Sequence, residues 1–254
     1  NMKEKLRMLS NTREFHICML IVIIIAILFT AGIIVLKYHV EGEGNLPFEL
    51  SKISIISNVE GNDNEDPNSK WNLTVNQNND IYIYIKKNSN YDATEAIQSI
   101  TLNNFIEEQS AAIGERKIYK PDNNIESVIF KNNDENTVNS IEYTGALDSS
   151  IKDLKISNQG GLVVFRYANT NLGTYVSNDD TEINHNELLK KLNITNDQLQ
   201  EKISFDITLK LESGKIYKSN IKLELPVGNV VEEGTQSQEK TDLENIIFKR
   251  VNND

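Results

Sequence analysis

Three histidines, one cysteine and a surplus of carboxylates bound the chemistry open to this chain. His16 and His39 flank a long apolar run, which leaves His185 as the sole histidine of the polar bulk. A Ser-His-Asp or Cys-His site needs a base beside its nucleophile, and Cys18 lies within the apolar run, so such a site would have to be built on His185. That residue stands at a helix start among Asn184, Asn186 and Glu187, the setting of a surface histidine. Transition-metal centres need clustered His and Cys, and the sequence has none. Gly160-Gly161 precedes a strand-like run instead of following one, so it reads as a turn and not as a phosphate loop.

Two oxygen-rich stretches are candidate calcium ligands: Asp63, Glu65 and Asp66, and then Asp179, Asp180 and Glu182. Neither has the spacing, central glycine and closing glutamate of an EF-hand, and turn formation accounts for both. Trp71, Tyr82 and Tyr84 form a candidate binding surface, an aromatic platform for a glycan. No two carboxylates stand out as a glycosidase pair. The residues therefore point to a non-enzymatic protein with no catalytic residue and no cofactor.

The elements that carry these residues begin with Ile17–Leu36, 20 positions without a charge. At about 1.5 Å per residue a helix of that length spans roughly 30 Å, the hydrocarbon thickness of a bilayer. A backbone in lipid must satisfy its own hydrogen bonds, so this β-branched stretch is expected to be helical. Signal peptides have shorter apolar cores and a small-residue cleavage site; the exit Lys37-Tyr38-His39-Val40-Glu41 has neither feature, so a retained anchor is the expectation. Lys3, Lys5, Arg7 and Arg13 precede the run, whereas Glu41 and Glu43 follow soon after it. The positive-inside tendency then puts residues 1–16 in the cytoplasm and the remainder outside the cell membrane.

The whole chain carries a formal charge of −11, and residues beyond position 40 hold 21 cations against 35 anions. Such a domain is soluble and is not suited to nucleic acid. Its expected partners are the membrane, through residues 17–36, and a protein of the cell envelope. With its only cysteine in the apolar run, the outer part has no disulfide, and its size does not require one.

Residues 37–47 read as a neck with Gly42, Gly44 and Pro47. Residues 48–228 read as an antiparallel β-sandwich ectodomain with two short helices, because short alternating runs recur between Asn/Asp turns. Phe48–Val59 is the first strand, and Gly61–Lys70 the loop after it. Trp71–Val75 and Asp80–Lys86 flank the polar run Asn76–Asn79. In the second of them Ile81, Ile83 and Ile85 face one way, and Tyr82 and Tyr84 the other. Tyr91–Ile106 favours a strand, with further short ones at Lys117–Lys120, Glu126–Phe130, Ser140–Tyr143, Leu162–Tyr167 and Gly173–Val176. Asn184–Lys202 is helical, with a cap at Asn184 and a capping box from Thr195 to Gln198.

The last hairpin can be argued from parity. A two-residue Ser213-Gly214 turn would pair Leu209 with Lys218 and mix the apolar and polar faces. The loop Glu212-Ser213-Gly214 pairs Leu209 with Tyr217 and Phe205 with Ile221, and puts Gly214 at the left-handed position. Residues 229–254 read as a mobile polar linker ending in the apolar segment Leu243–Val251, which adds an edge strand to its own sheet or docks on a partner.

Three stretches, LKYHVEGEGNLPFELSKISIIS, WNLTVNQNNDIYIYI and EKTDLENIIFKRV, resemble an uncharacterised family of single-pass membrane proteins from low-GC Gram-positive bacteria. The resemblance implies source and topology and brings no activity. The leading expectation is an envelope scaffold or interaction module. The alternatives are a ligand-binding or sensory module for glycan or calcium, and a pilin-like assembly subunit. Against the last, Glu14 precedes the apolar run and no glycine stands before it as a processing site.

Overall fold

The computed structural model describes residues 12–41, 44–122, 129–147 and 154–251. The chain divides into two compact units, Asn1–Gly44 and Asn45–Asp254. The first holds helix α1, Arg13–Glu41, whose described side chains are all exposed. Its stretch Arg13–Leu36 is long and apolar enough to cross a membrane, by length and composition. Thr30 Oγ1 donates to the Ala26 carbonyl at 2.8 Å, so the hydroxyl within this apolar stretch is satisfied locally. The helix continues to Glu41, and so takes in the first residues of the span 37–47 that reads as a neck.

The second unit is mainly β, with two facing sheets as expected. In chain order its strands are β1 Phe48–Asp63, β2 Trp71–Lys87, β3 Ile97–Gln109, β4 Glu115–Tyr119, β5 Ile141–Gly145 and β6 Lys155–Ile156. They continue as β7 Gly160–Ser177, β8 Glu201–Leu211, β9 Ile216–Leu225, β10 Gln236–Lys240 and β11 Lys249–Val251. One sheet runs β10-β1-β2-β7-β4 and the other β11-β9-β8-β3-β5-β6. All pairings are antiparallel except β5 with β6.

Period-2 alternation builds the core. Ile53 and Ile55 on β1, Ile81, Ile83 and Ile85 on β2, and Val163 and Phe165 on β7 face Ile100 and Leu102 on β3 and Phe205, Ile207 and Leu209 on β8. Phe105, Phe165 and Phe205 bring three ring centroids within 5.1–5.4 Å of one another across the two sheets. Each such side chain removed from water contributes about 1.5–3 kcal/mol, which is the main force holding the sheets face to face.

Strands β1, β2 and β7 are 16, 17 and 18 residues long. Their far ends carry a second apolar cluster, Val59, Leu73 and Val75, covered by three short helices. These are α2 Leu188–Lys191, α3 Asn196–Leu199 and α4 Val230–Glu233, which contribute Leu188, Leu189, Leu199, Val230 and Val231. Gly61 sits directly beneath them, and an added Cβ there would lie 2.8 Å from Leu188 Cδ1. The caps at Asn184 and at Thr195 with Gln198 are present. The helical region ends earlier than expected, however, since Glu201 and Lys202 already belong to β8.

Three further expectations need correction. Asn76–Asn79 does not separate two strands but lies buried in the middle of a continuous β2. Leu162–Tyr167 and Gly173–Val176 are one strand, β7, bulged where Val75 pairs with Gly173 and Gln77 with Asn169. The polar segment after Pro226 is no linker: Gln236–Lys240 pairs with Ile53–Ser57 on the edge of β1. That pairing is made by backbone groups, with Lys52 of β1 also meeting Glu239 of β10 at 2.9 Å, and needs no apolar side chain. The segment Leu243–Val251 folds back within the unit, with Phe248 buried and Lys249–Val251 paired to β9. Phe248 shares an apolar cavity of about 10 Å³ with Phe48, Leu50, Ile85, Ile207 and Leu209. The strand expected at Glu126–Phe130 falls partly outside the described residues, and Phe130 itself is buried in a loop.

Candidate functional site

Tyr82 and Tyr84 lie half-buried on the outer face of the first sheet, about 7 Å apart along β2. Lys52 Nζ sits 4.6 Å from the Tyr84 ring centroid while donating to Glu239 Oε1 at 2.9 Å. Burial, and then the nearby Asp80 carboxylate, push the Tyr82 hydroxyl above its ordinary pKa. Trp71 does not join them. It is eleven positions away on β2, roughly 36 Å at strand rise, and packs against the helix-covered cluster. Its indole N–H donates to the Asp180 carbonyl at 2.9 Å. The three aromatics therefore do not form one platform.

The candidate calcium ligands are occupied in turns. Asp63 Oδ1 accepts the Glu65 N–H at 2.9 Å, with Glu65 at φ 54°. The Asp66 carboxylate accepts the Asn68 N–H, the Asn72 amide and the Ser69 hydroxyl, each at 2.9 Å, and these donors hold its pKa down to about 2. Ser177 Oγ accepts the N–H groups of Asp179 and Asp180, while the Asp180 carboxylate takes the Tyr175 hydroxyl and Lys191. Tyr175 and Lys191 lower the Asp180 pKa. Glu182 is exposed. Among the described residues, no three His, Cys, Asp or Glu side chains gather as a metal site. His185 is a fastening: its Nδ1 accepts the Gly61 N–H at 2.9 Å, which leaves the proton of the neutral ring on Nε2.

Two charged pairs escape sequence reasoning. On the outer face, Arg166 of β7 meets Asp80 of β2 in a bidentate contact at 2.6 and 2.9 Å. Its third nitrogen donates to Asn132 Oδ1 at 3.0 Å, and the Phe130 ring lies over the guanidinium at 5.0 Å. Asn78 donates to Asn58 and Glu60 and accepts from Asn132, which extends the network beneath that loop. The pair spans 86 residues, and the only local sign of it is a charge beside the alternating β2 pattern.

The second pair crosses between the sheets. Arg116 of β4 puts Nε 3.1 Å from Glu201 Oε2, the first residue of β8. Its other nitrogens donate to the carbonyls of Ala111, Ile113 and Gly114 and to Asn169 Oδ1. Glu201 is 1 % exposed. Burial pushes its pKa up to about 7, with Arg116 pulling the other way. An acid poised near neutrality is a mark of functional sites, yet this one is sealed from solvent and braces the fold.

The outer face of the second sheet is open and polar. Ser99, Thr101, Glu142, Thr144, Thr208 and Lys210 line a groove there of about 330 Å³. Comparison with protein-family models, with curated proteins and with solved structures finds no match to this chain.

Proposed function

We propose that this chain is a non-enzymatic scaffold or interaction module of a bacterial cell envelope. In this reading α1 is a retained anchor, residues 1–16 are cytoplasmic and the β-sandwich stands outside. The observation that carries it is the union of an exposed apolar helix of membrane length with a β unit whose buried Arg166 and Asp80 are paired with one another. The cations before α1 and the acidic balance after it support the orientation. Buried acids and bases engaged in bracing are not free to turn over a substrate, which favours binding over catalysis.

Protease added to intact cells of the source bacterium should remove the sandwich and leave a fragment containing α1. Crosslinking through surface lysines, followed by mass spectrometry, should then recover envelope components. A protected sandwich, or a mature polypeptide beginning after Leu36, would overturn the placement. Turnover of peptidoglycan or peptide substrates by the purified protein would overturn the non-enzymatic reading.

A further inference from the structure

We infer that the far end of the sandwich, built on the last residues of β1, the first of β2 and the last of β7, is a cap that opens as one unit while the main core stays folded. This goes beyond the reading of the domain as an interaction module and does not depend on it. The boundary lies where the second sheet stops. Strand β8 begins at Glu201, β9 ends opposite it at Leu225, and β3 ends at Gln109 opposite Lys202. Strands β1, β2 and β7 of the first sheet run on past that level, and there α2, α3 and α4 replace the second sheet as their cover.

A row of buried polar side chains fills the boundary. Ser57 of β1, Gln77 and Asn79 of β2 and Asn169 of β7 are each 0 % exposed. Ser57 Oγ donates to Asn79 Oδ1 at 2.7 Å and accepts the Val227 N–H at 2.9 Å, just past the end of β9. Gln77 Nε2 donates to Asn79 Oδ1 at 3.0 Å, and Asn79 Nδ2 donates to the Tyr167 carbonyl at 3.2 Å. Arg116 closes the row from the side, since one guanidinium reaches both Asn169 and Glu201.

The row divides the apolar interior in two. On one side is the main core, and on the other Val59, Leu73 and Val75 with the helix residues that cover them; the described buried apolar side chains form two separate clusters. Apolar stabilisation needs contact, so the burial of one cluster does not depend on that of the other. Hydrogen bonds of the row are exchanged for bonds to water when the end opens, and so tie the clusters more weakly than an apolar layer would. The β2–β7 ladder also breaks at this level, between Val75 and Gln77. Beside the break Asn171 takes φ 57°, its N–H donating to Asn76 Oδ1 at 3.0 Å. A bulge there gives the strands a place to bend.

The test is amide hydrogen exchange, followed by NMR on the full chain in detergent micelles. Leu73 and Ile81 lie on one strand and are paired on both sides, while the Ile194 N–H donates to the Leu189 carbonyl within the cap at 3.0 Å. Leu73 and Ile194 should show matching protection, at least about tenfold below that of Ile81, and a weaker dependence on denaturant, because less surface opens. Ile207→Val, a mild cut in the main core, should lower protection at Ile81 by about fivefold and leave Leu73 and Ile194 unchanged, because the core is intact in the opened state. Ile221→Val should repeat that pattern from the neighbouring strand. Equal protection at Leu73 and Ile81, or an equal loss at all three amides in either variant, would show one cooperative unit and overturn the cap. Unequal protection at Leu73 and Ile194 would overturn it too, by showing separate fraying.

Discussion

Leu209 stands directly opposite Tyr217 across β8 and β9, and Phe205 opposite Ile221. This register puts all four side chains in the core and follows from the three-residue loop Glu212-Ser213-Gly214. The Gly214 N–H donates to the Leu211 carbonyl at 2.9 Å, and the residue has φ 86°. An added Cβ would meet nothing within 4 Å, so the cost of a side chain there is conformational. Gly214→Ala should therefore lower stability by about 1–2 kcal/mol, and Gly214→Asn by less, because asparagine tolerates the left-handed region. Chemical denaturation of the three proteins checks the order.

Glu201 makes stability depend on pH in an unusual direction. Its pKa lies near 7 when folded against 4.5 ordinarily, so the folded state holds a proton that the unfolded chain releases. The contribution is complete below pH 4.5 and is lost as pH rises through about 7. At 1.36 kcal/mol per pH unit, the interval carries roughly 3 kcal/mol. The carboxylates with lowered values, such as Asp66 and Asp180, lose their contribution only at lower pH. Melting curves at pH 5 and pH 7.5 should show the native protein less stable at the higher pH, and Glu201→Gln should flatten that difference.

Removing one member of the outer-face pair should cost more than removing both. Arg166→Ala leaves the Asp80 carboxylate, only 6 % exposed, without its bidentate partner, and should destabilise by about 3–5 kcal/mol. The double replacement Asp80→Leu with Arg166→Met removes both charges and should recover much of that loss. A double-mutant cycle measured by denaturation provides the comparison.

Phe248 and its neighbour Ile247 offer a paired test of the C-terminal segment. Phe248 is buried among the residues of the main core, whereas Ile247 is 42 % exposed. Phe248→Ala should cost about 3–5 kcal/mol and Ile247→Ala less than about 0.5 kcal/mol, as read from denaturation midpoints. Equal effects would show that the segment is not docked as described.

What could be read in advance was what depends on neighbours in the chain. The alternation of Ile81, Ile83 and Ile85 marks an inward face whatever it packs against, and hairpin parity follows from a loop of three residues. The caps at Asn184 and Thr195 are equally local. Asn76–Asn79 could not be read in that way, since four polar residues signal a turn unless distant partners satisfy them. Here Asn79 donates to the Tyr167 carbonyl and Asn78 to Glu60, contacts that only the assembled sheet supplies. The same holds for Arg166 with Asp80 and for Arg116 with Glu201. Strand β10 was hidden for another reason: its edge pairing rests on main-chain groups, which every residue but proline carries. The groove on the second sheet is spread over three strands, and its hydroxyls look like ordinary solvent-facing positions when read singly.

The small cavity shared by Phe48 and Phe248 has a consequence for biogenesis. The opening strand and the closing segment of the sandwich line one void, so its first-made residues wait for its last. Until residue 248 has emerged from the ribosome, Leu50, Ile85 and Leu209 lack one wall; the edge of β1 waits for Gln236–Lys240 and that of β9 for Lys249–Val251. A chain cut before these two segments would lack both edge strands and present open strand edges to its surroundings.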